Sequence, residues 1–221
     1  MKLNFTKMWL LLAFMVVGSI GAYAQSLSGS YTIGSGTGYD YASPQAAASA
    51  LMSNGVSGAV TFTIEDGTYS GQLTLNKYIV GSSSTNTITF KSKSADSSKA
   101  IITNTGTYTV YMYNCDWVTF EDLTIQSTST GTRYIIYHYY GENNSFLNCS
   151  IIGVRNNRTS YSARVYYSDN TVFRNCRSEG NYYGFYFYGS STNRHEDNII
   201  DGCTIVHQYY YGVYSYYGQG F

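Results

Sequence analysis

Three features of the sequence predict an all-β solenoid. Cys149, Cys176 and Cys203 are spaced 27 residues apart, and similar residues surround each of them. A period in this range is typical of solenoids, in which each repeat stacks on the next. Within each repeat the alternation of apolar and polar residues slips by one position, and no repeat shows the period of an amphipathic helix. We therefore predict a right-handed parallel β-helix with rungs of about 22–28 residues and a short N-terminal capping helix.

The first 24 residues have the pattern of a secretory signal peptide. Lys2 and Lys7 precede an apolar run over residues 8–17. Further on, Ala22-Tyr23-Ala24 matches a small-x-small cleavage site. The apolar run is shorter than the roughly 20 residues that a membrane span needs. We therefore expect a signal peptide over residues 1–24, no membrane span after its cleavage, and a secreted or outer-surface location.

The remaining chain is predicted to have two parts, an N-terminal cap over residues 25–58 and β-helix rungs over residues 59–221. Ser43 is a suitable N-cap, Pro44 suits the first helical position, and the Ala-rich stretch that follows favours a helix as far as Met52. The last ten residues begin a rung whose corner would fall beyond Phe221. We therefore expect the sequence to be the N-terminal part of a longer protein, with the β-helix truncated.

The slip in alternation predicts the corner of each rung. A shift of one residue would turn every later side chain to the other face unless the chain bends there. Asp, Asn and Gly tolerate the left-handed backbone conformation at least cost, and these types stand at the slip. The expected corner residues are Asp122, Asn148, Asn175 and Gly202.

The repeated cysteines follow these corners and take the inward position that Leu123 holds one rung earlier. A buried stack of free thiols is the expected arrangement. Neighbouring rungs lie within disulfide range, but three stacked thiols would leave one of them unpaired. The structural residues predicted here are Cys149, Cys176 and Cys203.

The third strand of each rung carries the tyrosines, of which the chain has 26. Five four-residue segments repeat in the same frame, at residues 110–113, 136–139, 163–166, 185–188 and 213–216. Their first and third places are mostly apolar and must point inward, so the second and fourth point outward. Stacking five rungs then produces two outward columns. The first column is Tyr111, Tyr137, Arg164, Tyr186 and Tyr214. The second column is Tyr113, Tyr139, Tyr166, Tyr188 and Tyr216.

Several segments resemble a known family. They are Tyr41 to Leu51, Val60 to Ile64, Asp66 to Tyr69, Asn86 to Phe90 and Trp117 to Phe120. The chain is similar to the secreted right-handed β-helix proteins of the pectin-lyase-like superfamily, in particular to long surface proteins exported by the type IX system. The resemblance implies a parallel β-helix with an N-terminal cap, and it carries little about activity.

Enzymes of that superfamily have motifs that this sequence lacks. The resemblance to pectate lyases would require an Arg-x-Pro-x-x-Arg segment, and the single proline, Pro44, excludes it. The triplets of polygalacturonases and the Asp-Phe-Ile-Phe-Gly stretch of pectin esterases are also absent. We expect no cofactor; calcium would be needed only if the chain were a lyase.

Charged residues on the rungs remain as candidates for catalysis. Arg174 and Asp201 are direct neighbours in the repeat frame, and Arg177 and Glu179 lie one strand further on. A surface ion pair, worth ~0–1 kcal/mol, is the simpler interpretation. A lyase-type site is the alternative.

Two histidines have contrasting expectations. His138 falls in the inward column of Met112 and Val165, so we expect a hydrogen-bonded core histidine. His195 lies in a polar insertion between Gly189 and Asp197, which predicts a surface loop.

The charge balance excludes one class of partner. Lys and Arg together number 13, as do Asp and Glu, so the formal net charge is +0 and there is no electrostatic footprint for nucleic acid.

A large contiguous aromatic surface is typical of a binding site. We therefore expect a non-catalytic module that binds polysaccharide or another cell-surface glycan through the tyrosine columns. The alternatives are a polysaccharide lyase or hydrolase, and a purely structural stalk.

Overall fold

The computed structural model describes residues 25–220. The signal peptide expected over residues 1–24 lies outside the described residues. The described part contains one helix, α1, over Pro44–Asn54. The strands are β1 Leu27–Ile33, β2 Val56–Ile64, β3 Gly67–Ser70, β4 Leu73–Leu75, β5 Ile88–Ser92, β6 Ala100–Asn104, β7 Tyr108–Tyr113, β8 Val118–Glu121, β9 Thr124–Ser127, β10 Tyr134–Tyr139, β11 Ser145–Leu147, β12 Ser150–Ile152, β13 Tyr161–Tyr166, β14 Val172–Arg174, β15 Arg177–Glu179, β16 Tyr183–Tyr188, β17 His195–Glu196, β18 Ile199–Asp201, β19 Thr204–Val206, β20 Tyr211–Tyr216 and β21 Gly218–Gln219.

These strands form three parallel sheets that run the length of a solenoid. The first sheet has the order β1-β2-β5-β8-β11-β14-β18, the second β3-β6-β9-β12-β15-β19, and the third β4-β7-β10-β13-β16-β20. From β2 to β20, with β17 excepted, successive strands of the chain lie in the three sheets in turn, so each turn of the chain adds one strand to every sheet. The predicted right-handed parallel β-helix is confirmed. A short pair, β17 with β21, extends the wall between the third and first sheets.

The corner between the first and second sheets turns at a single residue with a left-handed backbone conformation. Asp122, Asn148, Asn175 and Gly202 have φ angles of 55°, 52°, 53° and 61°. The Asn148 amide donates to Oδ1 of Asp122 at 3.0 Å, and the Asn175 amide donates to Oδ1 of Asn148 at 3.3 Å. A Cβ at Gly202 would lie 2.5 Å from Oδ1 of Asn175, so only glycine fits there without displacing that amide.

The core is a column of stacked rings with a column of thiols beside it. Phe62, Phe90, Phe120, Phe146 and Phe173 are fully buried, and their ring centroids are 4.7–5.4 Å apart along the axis. The register of the first sheet aligns these phenylalanines rung by rung. Aromatic pairs at such distances add about 0.5–1.5 kcal/mol each beyond the area that they bury.

The cysteines that follow the corners are free thiols. Cys149 and Cys176 are buried, and Cys203 is half-buried. Each thiol donates to the phenylalanine carbonyl of the preceding rung, with Sγ to oxygen distances of 3.4 Å for Cys149, 3.2 Å for Cys176 and 3.4 Å for Cys203. This shared contact places all three at one position of the rung.

Helix α1 closes one end of the solenoid over the first rungs. The Ser43 hydroxyl accepts a hydrogen bond from the Ala46 amide at 3.2 Å, and Pro44 opens the helix. Its buried residues face β1, β2 and β4. The helix continues two residues beyond the predicted end at Met52, until Gly55 ends it with a φ of 66°. Within residues 25–220, no helix is long and apolar enough to cross a membrane.

The two histidines both lie in the core. The prediction for His138 is confirmed, because its side chain is 0% exposed and hydrogen-bonded to Asn144. The prediction of a surface loop for His195 is wrong. His195 is also 0% exposed, and its ring contacts Ser215 and Asn198. The residues around His195 are polar, so the sequence does not indicate an inward position there. The short strand β17 nevertheless directs the His195 side chain into the solenoid.

Candidate functional site

The outer surface of the third sheet is lined with tyrosine rings. The register aligns Tyr137 with Tyr111 and Arg164, and Tyr139 with Tyr113 and Tyr166. Both expected columns therefore exist as continuous rows, which we call lane 2 and lane 3. Lane 2 is Tyr111, Tyr137, Arg164, Tyr186 and Tyr214. Lane 3 is Tyr113, Tyr139, Tyr166, Tyr188 and Tyr216.

Sequence reasoning missed a further lane on the same surface. Lane 1 consists of the first residue of each of five strands: Tyr108, Tyr134, Tyr161, Tyr183 and Tyr211. In β10, both Ile135 and Ile136 point inward, so Tyr134 and Tyr137 share the outer face although they are three residues apart. Strict alternation places residues three apart on opposite faces, which is why the lane was missed. The recurring Tyr-x-x-Tyr-x-Tyr spacing was the available signal.

The rings of the three lanes, together called the tyrosine face, pack against one another. Along lane 1 the ring centroids are 4.9–6.0 Å apart and the planes are inclined by only 15–25°. Along lane 3 the separations are 4.8–5.9 Å. Parallel rings lying side by side in one plane would need more than about 6 Å between centroids, because carbon atoms do not approach closer than about 3.5 Å. The nearly parallel rings of lane 1 must therefore overlap, whereas two of the four pairs in lane 3 are tilted, by 47° and 42°.

Arg164 is the one charged residue among the fifteen places of the tyrosine face. Its guanidinium carbon lies 4.8 Å from the ring centroid of Tyr134, 5.3 Å from that of Tyr161 and 4.3 Å from that of Tyr166. It also donates a hydrogen bond to the Tyr166 hydroxyl. Such contacts hold a cation against aromatic rings. From its place in lane 2, Arg164 thus contacts rings of both lane 1 and lane 3.

Six hydroxyls of the tyrosine face hold their protons more tightly than an ordinary tyrosine. Burial raises the pKa of Tyr139 to about 12. It also raises the pKa of Tyr111, Tyr137, Tyr161, Tyr183 and Tyr186 above the ordinary tyrosine value. A neutral phenol can both donate and accept a hydrogen bond. At neutral pH these six residues therefore offer uncharged hydrogen-bonding groups.

An acidic row follows the free edge of lane 3, where the chain turns from the third sheet toward the first. Asp116, Glu142 and Asp169 line a groove of about 410 Å³ together with Tyr113, Tyr140 and Tyr167. Oδ1 of Asp116 accepts a hydrogen bond from the Glu142 amide, and Oδ1 of Asp169 accepts one from the Glu196 amide, each at 2.7 Å. Asp116 and Asp169 therefore each link their own rung to the next one through a hydrogen bond. We call Asp116, Glu142, Asp169 and Glu196 the acidic flank.

The charged candidates for catalysis lie away from the tyrosine face and in two groups. Arg174 and Asp201 form an ion pair of 2.9 Å on the first sheet, with side chains that are 50% and 59% exposed. Arg177 pairs with Glu179 at 2.8 Å on the second sheet, where Arg155 reaches the same carboxylate at 2.9 Å. These arginines hold the pKa of Glu179 at about 2, so this carboxylate is not poised as a general acid. Across residues 25–220, no hydrogen bond or ion pair joins the two groups.

Metal ligands do not cluster in the described part of the chain. Among residues 25–220, no group of three or more His, Cys, Asp or Glu side chains is arranged to hold a metal ion. The acidic flank has its carboxylates spread over successive rungs, and two of them already accept backbone hydrogen bonds.

The family model described as the right-handed β-helix region matches residues 78–221. No curated protein sequence matches the chain. Two solved structures of the pectin methylesterase from Aspergillus niger, both deglycosylated forms, align with TM-scores of 0.51 and 0.50 at 14% identity. Each alignment covers 80% of this chain and 68% of the esterase.

The pectin methylesterase from Erwinia chrysanthemi aligns with a TM-score of 0.49 at 13% identity. That alignment covers 78% of this chain and 55% of the enzyme. At these identities the similarity to the fungal esterase shows a common fold alone.

Proposed function

The chain belongs to the right-handed β-helix family, and we propose that this member is a non-catalytic module that binds polysaccharide through the tyrosine face. The signal-like sequence over residues 1–24 supports a place of action outside the cell or on its outer surface. The observation that carries the proposal is the tyrosine face itself, with tyrosine in fourteen of fifteen aligned places. Contiguous aromatic surfaces of this extent mark interaction sites.

The chemistry of the face suits a sugar polymer. Sugar hydroxyls need donors and acceptors at close intervals, and each neutral phenol supplies both. The ring edges add apolar contact with the C–H groups of a pyranose. The rings are already held by their neighbours, for example Tyr139 between Tyr113 and Tyr166 at 5.7 and 5.9 Å, so they lose little side-chain entropy on binding.

The test compares retention on insoluble polysaccharides for three proteins. Tyr139→Phe with Tyr188→Phe removes two hydroxyls of lane 3 and keeps both rings. We expect retention to fall at least about tenfold, or 1.4 kcal/mol, with Tm within a few degrees of the parent protein. Arg174→Ala is the matched control, because it changes an exposed side chain on another sheet and should retain full binding. Unchanged retention in the double variant, or equal losses in both variants, would contradict the proposal.

The enzyme alternative is tested on the same proteins. Uronate polymers are incubated with each protein in the presence of calcium, and new unsaturated ends are measured. We expect no turnover. Turnover that disappears in Arg174→Ala and survives in the tyrosine double variant would move the functional site to the Arg174–Asp201 pair.

A further inference from the structure

We propose that the tyrosine face takes a neutral, extended glycan joined through 1,4-diequatorial bonds, which lies along the solenoid axis with one pyranose on each rung. This inference rests on the proposed polysaccharide function and adds to it the direction, the register and the linkage class of the ligand. It commits to lane 3, Tyr113 to Tyr216, as the binding row.

The period of the lanes carries the first step. Ring centroids along lane 3 are 5.7, 5.9, 4.8 and 5.3 Å apart. Strand spacing imposes this interval, since neighbouring strands of any sheet lie about 4.8 Å apart. A pyranose linked through equatorial oxygens at C1 and C4 advances its chain by about 5 Å, given bond lengths of about 1.5 Å. In a fully extended chain of such sugars, the advance per sugar is therefore close to the spacing between rungs.

The direction follows from comparing the two axes of the face. Across the strands the face is only three lanes wide, and those lanes are unevenly placed. Lane 1 meets lane 2 at 5.0 Å between Tyr108 and Tyr111, whereas lane 2 meets lane 3 at 6.4 Å between Tyr186 and Tyr188. Along the axis the interval repeats over five rungs. A polymer with a constant repeat can use every rung only if it runs along the axis.

Lane 3 is the row best suited to this role. Lanes 1 and 3 are both uninterrupted, whereas Arg164 breaks lane 2. Lane 3 has exposed rings at both of its ends, Tyr113 at 37% and Tyr216 at 42%. It also borders the groove of the acidic flank, where carboxylate oxygens can accept hydrogen bonds from the hydroxyls of a neutral sugar.

Charge decides the class of glycan. The acidic flank places the carboxylates of Asp116, Glu142 and Asp169 in the groove beside Tyr113 of lane 3, and within the face Arg164 is the single positive charge. A polyuronate carries a carboxylate on every sugar, so most of its charges would face the flank without a cation and would be repelled. A neutral chain avoids this penalty. The linkage restricts the class further, because diequatorial 1,4-bonds give a flat, extended ribbon, whereas diaxial 1,4-bonds give a more twisted chain.

The experiment measures binding of soluble oligosaccharides of increasing length by calorimetry. The probes are 1,4-linked β-glucose oligomers of two to seven sugars, with oligogalacturonates of the same lengths for comparison. We expect the affinity for the neutral series to rise with each sugar up to five, the number of rungs in lane 3, and then to level off. We expect the uronate series to bind at least about tenfold more weakly.

Paired variants test the register. Tyr113→Phe with Tyr216→Phe removes the terminal hydroxyls of lane 3. The oligomer length at which the affinity levels off, here called the levelling length, should then fall from five sugars to three. Tyr108→Phe with Tyr211→Phe makes the same change in lane 1 and should leave it at five. A levelling length of three in the parent protein, or an equal effect of both pairs, overturns the axial arrangement. Preferred binding of oligogalacturonate overturns the ligand class but leaves polysaccharide binding intact, whereas binding of no glycan overturns both proposals.

Discussion

The amide nitrogen of Asn144 lies 3.0 Å from Nε2 of His138 in the centre of the solenoid. Oδ1 of Asn144 accepts from the Val118 amide at 2.9 Å, which fixes the amide with its N–H groups toward the imidazole. An amide N–H can only donate, so Nε2 must be an acceptor and the ring is neutral with its proton on Nδ1. Burial accordingly lowers the pKa of His138 to about 3.

This arrangement predicts loss of stability in mild acid. An unfolded histidine titrates near pH 6.5, so between pH 6.5 and pH 3 the unfolded chain binds more protons than the folded one. Each pH unit below 6.5 should therefore cost about 1.4 kcal/mol from His138 until its folded pKa is reached. His195, whose pKa is also lowered by burial, acts in the same direction. Urea unfolding at a series of pH values measures the slope.

Two histidine variants serve as its test and control. His138→Met copies Met112 of the preceding rung and should flatten the decline between pH 6.5 and 4. His207→Asn changes the exposed third histidine and should retain the decline. An acid slope that is equally steep in His138→Met would show that other groups cause it.

The tyrosine face predicts a second, alkaline limit. Where burial raises the pKa of a tyrosine, the folded state holds its proton more tightly than the unfolded state, so the stabilisation is present below about pH 10 and is lost as pH rises toward the folded pKa. We expect part of the phenolate absorbance to appear in one cooperative step with loss of the β-type circular dichroism. Complete appearance of the phenolate absorbance before the circular dichroism is lost would contradict this. Tyr139→Phe should shift the step to higher pH, because it removes a group whose pKa is about 12.

The corner residues predict a difference between two small substitutions. Asn175→Ala places an alanine at a φ of 53° and removes the amide bonded to Asn148. We expect a loss of about 1–2 kcal/mol in the free energy of unfolding. Asn175→Gly also removes the amide but relieves the backbone cost, so it should be the milder change. If both substitutions destabilise equally, the side-chain ladder rather than the backbone conformation dominates.

The thiols should react only after unfolding. Burial raises the pKa of Cys115, and hydrogen bonding to its neighbour raises the pKa of Cys176 to about 12, so little reactive thiolate exists at neutral pH. Titration with a thiol reagent should detect four thiols in unfolded, unreduced protein and almost none in native protein. The half-buried Cys203 should be the first to react as denaturant is raised. A count near two in the unfolded protein would indicate a disulfide.

The solenoid was predictable because its signals repeat. One Asn at the position of Asn148 means little, but Asp, Asn or Gly at the same place in four successive rungs indicates a left-handed corner, and the φ angles agree. The tyrosine lanes that obey strict alternation were predictable for the same reason. Lane 1 was not, because two consecutive inward residues such as Ile135 and Ile136 break the alternation that locates a face.

The repeat pattern alone predicts the period, the corners and the outward position of ten residues in lanes 2 and 3. How the rings pack on one another follows from the distances between rungs, which local sequence does not contain. Tyr139 stacks on Tyr113 at 5.7 Å with planes 13° apart, but is tilted by 47° from Tyr166 in the next rung. His195 shows the same limit, since its burial comes from Ser215 in the next rung, 3.1 Å from its Nε2 and twenty residues away in the chain. Local sequence records which residues alternate, and the stacking of rungs decides what each of them touches.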